Sequence, residues 1–526
     1  MKVKAAGWAV IALVAAVVGL LIAATLASRT EPLRKLVVAT LADRLDSDVE
    51  LESFAVDPFP TVTIRGSNLV LRLRGVAATA RVPPLIQIKS FTVRCGLFDL
   101  FRRPRRFRQV TLEGLIVNIP PGGLAGRDNP ISGAIQAGSS DGASGYPKAP
   151  IVVEDLRTDD ALLRIIPKRE GKAPREFAIH KLSMQSLGYA QPMPFKATLT
   201  NPLPKGLIDA SGTFGPWRKD DPSTTPVAGT YSFNKADLGT IDGLGGILDS
   251  TGQFHGQLER IVVKGETHSP DFSLDISHQP VPLDTKFQAI VDGTDGDTYL
   301  DAVDAVLRQT VLTAKGEIAG THGVHGRTIK LHVRVHEGRI EDFLRLTTKS
   351  KQPIMVGRVA LHTDLTLPPG KTDVFERLQL AGEFDVAAAR FTNPDVSKKL
   401  AEMSRRARGL DSDDKAAGTV ASELTGRFRL HSGTMTFTQL SFALPGASVQ
   451  LQGTYKLRSE ELNFTGTLRM HATISQAAGG GMKGFFLKLI DPLFKKKGAG
   501  ALVPIHIRGT VEKPQFGVDV GRVFKG

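Results

Sequence analysis

The chain has 526 residues, with 67 Lys and Arg against 53 Asp and Glu (formal net charge +14), and Cys95 is its single cysteine. One thiol excludes an intramolecular disulfide framework and any multi-cysteine metal cluster, and it suits an export compartment, where spare thiols are a liability. Apolar content of 41% excludes a disordered chain and a polytopic membrane protein; the length points to three or four domains or an elongated array, and the positive charge fits contact with an anionic surface without specifying nucleic acid.

Residues 5–28 carry no charged side chain. At a rise of 1.5 Å, about 20 helical residues cross the ~30 Å hydrocarbon layer, so residues 1–28 are read as a cytoplasmic tip and one transmembrane anchor. Lys2 and Lys4 precede the span, Arg29, Arg34 and Lys35 follow it, and Trp8 falls near the cytoplasmic end, where an indole favours the interface. The competing reading is a cleaved signal peptide, whose apolar region runs to about 7–15 residues; this one is longer. No other stretch reaches about 18 apolar residues, which places everything after Arg29 on one side; in a bacterium that side is the periplasm.

Residues 29–120 form a first module. Leu33, Leu36, Val37, Leu41 and Leu45 make one 3.6-period stripe behind Pro32, an amphipathic helix. Strand patterns follow: Val62 with Ile64, then Leu69, Leu71 and Leu73; Phe91, Val93 and Cys95; Leu115, Val117 and Ile119. Period-2 alternation with Gly breaks predicts antiparallel strands with one buried face. Residues 121–150 are rich in Gly, Ser, Ala and Pro and lack periodicity, a flexible linker. In the central region, 151–392, and beyond, Gly recurs two residues before an apolar residue: Gly212, Gly229, Gly252, Gly316, Gly382, Gly426, Gly453, Gly466 and Gly509. The spacing is irregular, which excludes a solenoid period and suggests a meander whose strands each begin at a Gly bend. Residues 393–420 are a helical insertion, with Val396, Leu400, Met403 and Ala407 on one face and Gly409 as the stop. Thr298 to Leu307 is ambiguous between helix and strand.

Catalytic chemistry is scarce. No phosphate-binding loop or dinucleotide fingerprint occurs. Gly138-Ser-Ser140-Asp-Gly142 has the outline of a nucleophile elbow without the strand before it or the helix after it. His332 and His336 read as polar residues on a solvated strand face, and no four-ligand metal set is present. Asp292, Asp295 and Asp297 resemble a calcium loop in composition only; a tight turn accounts for them. No enzyme activity, metal or cofactor is expected.

Two patches point to binding. Arg102, Arg103, Arg105, Arg106 and Arg108 crowd seven positions beside Phe98, Phe101 and Phe107; they suit lipid phosphates, or form a solvated basic turn. Residues 482–497 form an amphipathic helix with Phe485, Phe486, Leu489, Ile490, Leu493 and Phe494 on one broad side, flanked by Lys488, Lys495, Lys496 and Lys497 and interrupted by Pro492. It suits a membrane surface, or plugs the end of the β-structure. The cleanest alternation places Leu462, Phe464, Leu468, Met470 and Ile474 on one face, with Gly466 at a bend, and Asn463, Thr465, Thr467, Arg469, His471 and Thr473 on the other. The apolar row lines either a sealed core or an open groove.

The run from Phe91 through Cys95 to Phe101, leading to Val110 through Ile119, resembles the opening of AsmA family proteins when it follows an anchor and an amphipathic helix. The region from 421 onward, with Gly453-Thr-Tyr455-Lys-Leu457, the glycines at 479–481 and Val503-Pro-Ile-His-Ile-Arg-Gly509-Thr-Val-Glu-Lys-Pro514, resembles that family's C-terminal region. The block containing Thr200 to Pro204, Gly215-Pro-Trp217 and Ala236-Asp-Leu238 is similar to one branch of it. The resemblance implies a mostly β protein anchored in the bacterial inner membrane by its N-terminal helix. An elongated, curved antiparallel β-groove with a few short helices would then carry phospholipids in envelope and outer-membrane biogenesis, as chorein-type bridge proteins do. A structural or assembly factor contacting outer-membrane or other envelope proteins is the alternative, and no nucleic acid is expected as a partner.

Overall fold

The computed structural model describes residues 47–57, 61–73, 83–96, 105–119, 151–165, 175–188, 191–293 apart from 217, 219 and 220, 296–320, 326–407, 422–470 and 502–518, with isolated positions 34, 35, 38, 39, 42 and 99. The anchor at 5–28, the linker at 121–150 and the amphipathic helix at 482–497 lie outside them. Among the described residues no helix is long and apolar enough to cross a membrane. Positions 34, 35, 38, 39 and 42 are helical, where the leucine stripe predicts a helix.

The protein is mostly β, with few and short helices. Two compact units are present: residues 1–234, 251–262 and 292–295, and residues 235–250, 263–291 and 296–526. In the first unit β1 (Ser47–Glu50) and β2 (Ser53–Asp57) both pair with β3 (Val62–Leu73). Antiparallel pairing continues through β4 (Ile86–Cys95) to β5 (Arg105–Ile119). It resumes from β6 (Ile151–Ile165) through β7 (Arg175–Leu187) and β8 (Met193–Pro202) to β9 (Lys205–Phe214).

Between these runs one pair departs from the antiparallel sheet predicted from alternation. β5 and β6 are parallel, from Arg105 opposite Ile151 to Ile119 opposite Ile165. Alternation reports which face a side chain occupies and is blind to strand direction. Parallel neighbours need a connection of a dozen or more residues, and residues 120–150 are long enough to make it.

Strands β10 (Pro226–Asp237), β11 (Leu244–Gly245), β12 (Ile247–Gln257) and β13 (Arg260–Leu274) follow. The second unit then meanders. Its strands are β14 (Val281–Val291), β15 (Thr298–Leu307), β16 (Thr310–Gly320) and β17 (Arg327–Arg339). A two-turn helix, α1 (Ile340–Thr347), leads to β18 (Met355–Leu367), and a single turn, α2 (Val374–Arg377), to β19 (Gln379–Phe391). Helix α3 (Pro394–Ala407) precedes β20 (Ser422–His431), β21 (Thr434–Leu444), β22 (Ala447–Lys456), β23 (Glu461–Met470), β24 (Leu502–Thr510) and β25 (Pro514–Val518). From β14 to β25 each strand is antiparallel to the next. The ambiguous segment is strand β15, whose Leu300, Val303, Ala305 and Leu307 face Gly316, Ala314, Leu312 and Thr310 of β16. The helix expected after residue 393 is α3; the Asn393 side chain accepts from the Val396 amide at 3.3 Å, and Leu400 packs on Phe442, Leu444, Ala447 and Val449.

The recurring glycines do not open strands. Gly212, Gly229, Gly316, Gly382, Gly426, Gly453 and Gly466 lie inside them, and the register runs unbroken past Gly466. Their role is close approach. A Cβ on Gly466 would sit 1.9 Å from the Gln450 carbonyl oxygen, and on Gly382 2.4 Å from that of His362. Elsewhere the missing Cβ makes room for a ring on the next strand: Phe91 lies over Gly66 and Phe384 over Gly426.

Candidate functional site

The second unit's sheet has two chemically opposite faces. In β17 Ile329, Leu331, Val333 and Val335 alternate with Lys330, His332, Arg334 and His336, and in β20 Leu424, Phe428 and Leu430 alternate with Glu423, Thr425, Arg427 and Arg429. The cross-strand register keeps the apolar sets together. Val333 is opposite Thr363, Thr363 opposite Gly382, and Gly382 opposite Phe428. Phe428 is opposite Phe437, Phe437 opposite Gly453, Gly453 opposite Phe464, and Phe464 opposite Ile507. Local register shifts interrupt most of these strand pairs, including every pair from β17–β18 to β21–β22, yet each returns the apolar residues to the same side. Such bulges bend a strand and increase its twist.

The apolar face lies on the inside of that bend. Ile276, just after β13, belongs to one cluster with Phe375, Leu430 and Leu457. Six strand steps separate β14 from β20, or ~29 Å if laid flat at ~4.8 Å per step. That Ile276, in the β13–β14 connection, and Leu430 share one cluster with Phe375 and Leu457 fits a sheet curved around its apolar face.

The face is sealed toward the strand ends and only partly covered between them, where Lys349, just after α1, reaches Glu460 in the β22–β23 turn. At one end Met355, Val359, Val386 and Ala389 are buried with Ile340, Phe343 and Leu344 of α1 against them, and α3 closes the neighbouring stretch at Phe442 and Val449. At the other end the Ile276–Phe375–Leu430–Leu457 cluster closes it. Between these lies a belt across the strands in which Val333, Leu361, Phe384, Phe437, Leu440, Leu451 and Ile507 are each only half-buried. A second sheet laid over the belt would bury these residues. Its floor is aromatic. Phe384 is 6.1 Å from Phe428 and 6.4 Å from Phe437, and Phe437 is 5.6 Å from Phe464, between ring centroids. The Tyr455 hydroxyl is buried on the same face without a hydrogen-bond partner among the described residues. Desolvation first, and the Glu460 carboxylate second, push its phenol well above the ordinary value.

The opposite face is solvated and charge-paired. His332 Nδ1 lies 2.6 Å from Asp364, Arg427 Nε 3.4 Å from Glu383, and Lys330 Nζ 3.1 Å from Glu317. A shallow hollow of about 590 Å³ on this side is lined in part by Arg334, His336, His362, Glu383 and Arg427. Among the described residues no group of three His, Cys, Asp or Glu is arranged to hold a metal. Asp297 accepts from the Gly320 amide and from Arg327 Nε at 2.9 and 3.1 Å, so it ties the β14–β15 connection to the β16–β17 connection. Cys95 is 1% exposed; burial, then Asp99, raises its thiol pKa, which leaves it an inert core residue.

Of the residues singled out in the sequence, Leu462, Phe464 and Leu468 share the apolar face, opposite Tyr455, Gly453 and Val449. Phe464 is only 6% exposed: packed on Phe437 and over Gly453, it is the floor of the trough rather than its wall. The backbone of Met470 pairs with Ala447 at the sealed end, and Ile474 lies outside the described residues. Arg105 and Arg106 begin β5, beside Ile151 and Val152 of β6, and Arg106 is exposed. Arg108 Nε is 3.6 Å from Asp99. Arg102, Arg103, Phe485, Phe486, Lys495, Lys496 and Lys497 lie outside the described residues. Sequence pattern alone does not single out the belt residues Phe384, Leu361, Phe437 and Leu440, although Gly382-Glu-Phe384 and Gly426-Arg-Phe428 carry the signal. No family model, curated protein or solved structure matches the chain.

Proposed function

We propose that the protein is a carrier that holds the acyl chains of phospholipids against the apolar belt of its second unit. In this reading it works from an anchor in the bacterial inner membrane, on the periplasmic side, during envelope and outer-membrane biogenesis. The half-buried belt, sealed toward both strand ends and faced on its far side by water-loving residues, carries the proposal. Such a surface leaves neighbouring apolar side chains partly in water, and a contiguous apolar patch rimmed by polar residues marks a ligand groove or an interaction site. An acyl chain lying across the strands would cover the belt without any hydrogen bond, which suits a surface that offers almost none. The resemblance to AsmA proteins in the N- and C-terminal segments supports the same reading, and the uncharged run at 5–28 supplies the anchor.

Native mass spectrometry of the full-length protein, released from mild detergent, tests the proposal. Retained phospholipid in wild type, reduced in Leu440→Asp, supports a carrier. Lipid-free protein that instead copurifies with an outer-membrane protein supports the assembly-factor alternative.

A further inference from the structure

We propose that α1 is an internal plug of the trough, latched by Asp342, and that its release admits ligand to the part of the apolar face it covers. The inference rests on reading the trough as an acyl-chain site. The helix does not flank the apolar face; it lies on it. Phe343 and Leu344 pack with Val359 and Val386, and Leu346 is buried with Val281 and Leu307. These are cross-strand apolar residues of the same kind as the belt, differing in that the protein's own helix covers them.

The attachment is concentrated on one carboxylate. Asp342 is fully buried. Its Oδ2 accepts from the Thr310 hydroxyl at 2.9 Å and the Gln309 amide at 3.2 Å, and its Oδ1 from Arg308 Nη1 at 3.2 Å. All three donors belong to the β15–β16 turn, and Thr310 in turn accepts from the Arg339 amide at 2.9 Å, just before the helix. The neighbouring Glu341 adds one tie, accepting from the Gly357 amide of β18 at 3.3 Å; other polar support is thin. Arg339 makes no side-chain cap bond, and Arg345 Nε is buried with no hydrogen-bond partner among the described residues. Two turns of helix do not persist alone in water, so α1 exists because of its apolar seat and this latch.

The flanks are fixed independently. Arg339 stays in register with Arg358 of β18. Beyond the helix, Gln279 Nε2 donates to the carbonyls of Thr348 and Ser350, both at 2.7 Å, and the Lys349 amide donates to Glu460 at 3.0 Å. The segment between these ties is able to leave its seat by local unfolding while the sheet stays intact. An acyl chain offers the same apolar contacts that the helix side chains provide, so helix and ligand compete for one surface, and ligand shifts the population toward the unseated state.

The test uses full-length protein incubated with dioleoylphosphatidylcholine vesicles and repurified. Native mass spectrometry counts retained lipid, and hydrogen exchange is followed in residues 340–347. Asp342→Ala should retain roughly twice the lipid of wild type and exchange its helix amides at least about tenfold faster, with β18 and β19 unchanged. Thr310→Val keeps the shape, removes the donor to Asp342 together with the acceptor of the Arg339 amide, and should move both readouts the same way by less; it carries the test if Asp342→Ala does not fold. Faster helix exchange with an unchanged lipid count overturns the plug, and unchanged exchange overturns the latch. No lipid on wild type or either variant overturns the trough reading itself, a result distinct from equal lipid on all three.

Discussion

The belt and the sealed strand ends are built from the same residue types on the same face of one sheet, yet they behave as different materials. At Val386 and Ala389, both 0% exposed, α1 completes a close-packed core. Only a few residues along the same strand, Phe384 is half-exposed and its ring rests over Gly426. What separates the two is the second layer: helices supply it at the ends, and glycines in the belt thin the floor where no helix sits. A one-sided sheet therefore gains its stability at its margins and keeps its middle free for a ligand.

The sealed end should be the most fragile. Val386→Asp buries an unpaired carboxylate and removes packing, a cost of roughly 4 kcal/mol or more. Thermal melting followed by circular dichroism should lose its cooperative transition, and a wild-type-like melt would erase the contrast. Phe464→Asp belongs with this group because Phe464 is floor, and it should fail in the same way. Gly382→Val comes next. Its Cβ would press on the His362 carbonyl and Thr363, and overpacking of this kind costs about 1–3 kcal/mol; urea unfolding should show a lowered midpoint with an unchanged slope.

Leu440→Asp sharpens the comparison from the belt side. Leu440 is half-buried and lies opposite Gly426 and Leu451, so an aspartate there keeps its water. The stability loss should stay near 1 kcal/mol, while lipid retained after extraction falls several-fold. Collapse of the fold would mean that the belt is a core after all. The smallest effect belongs to the charged face. Arg427→Glu sets like charges side by side with Glu383, both exposed, and should cost under about 1 kcal/mol with lipid retention unchanged.

Much of this was legible in the sequence. Alternation at Leu462, Phe464 and Leu468 assigned the apolar face correctly, because side-chain direction in a strand is a local property. The helix from Pro394 was legible for the same reason. Burial was not: Phe464 is closed over by Phe437 and Gly453, which reach it through pairing across neighbouring strands. The glycines were visible as a recurring pattern but read as bends, since the carbonyls and rings they accommodate belong to other strands. Strand direction in the β5–β6 pair leaves no periodic trace. Helix α1 carries Ile340, Phe343, Leu344 and Thr347 on one stripe but spans only eight residues, too few for periodicity to separate a helix from a strand, and its decisive contact, Asp342 with Thr310, is set by the β15–β16 turn.

Adjacent positions on opposite faces allow the most direct measurement. Leu440 points into the belt, while Gln439 lies across from Arg427 on the charged face. A photo-crosslinking amino acid placed at each position in turn, in full-length protein within its native membrane, reports what touches that face. Phospholipid adducts at 440 and none at 439 are the predicted result. Equal labelling at both positions, or labelling at 439 alone, would contradict an acyl-chain trough on the apolar side of this sheet.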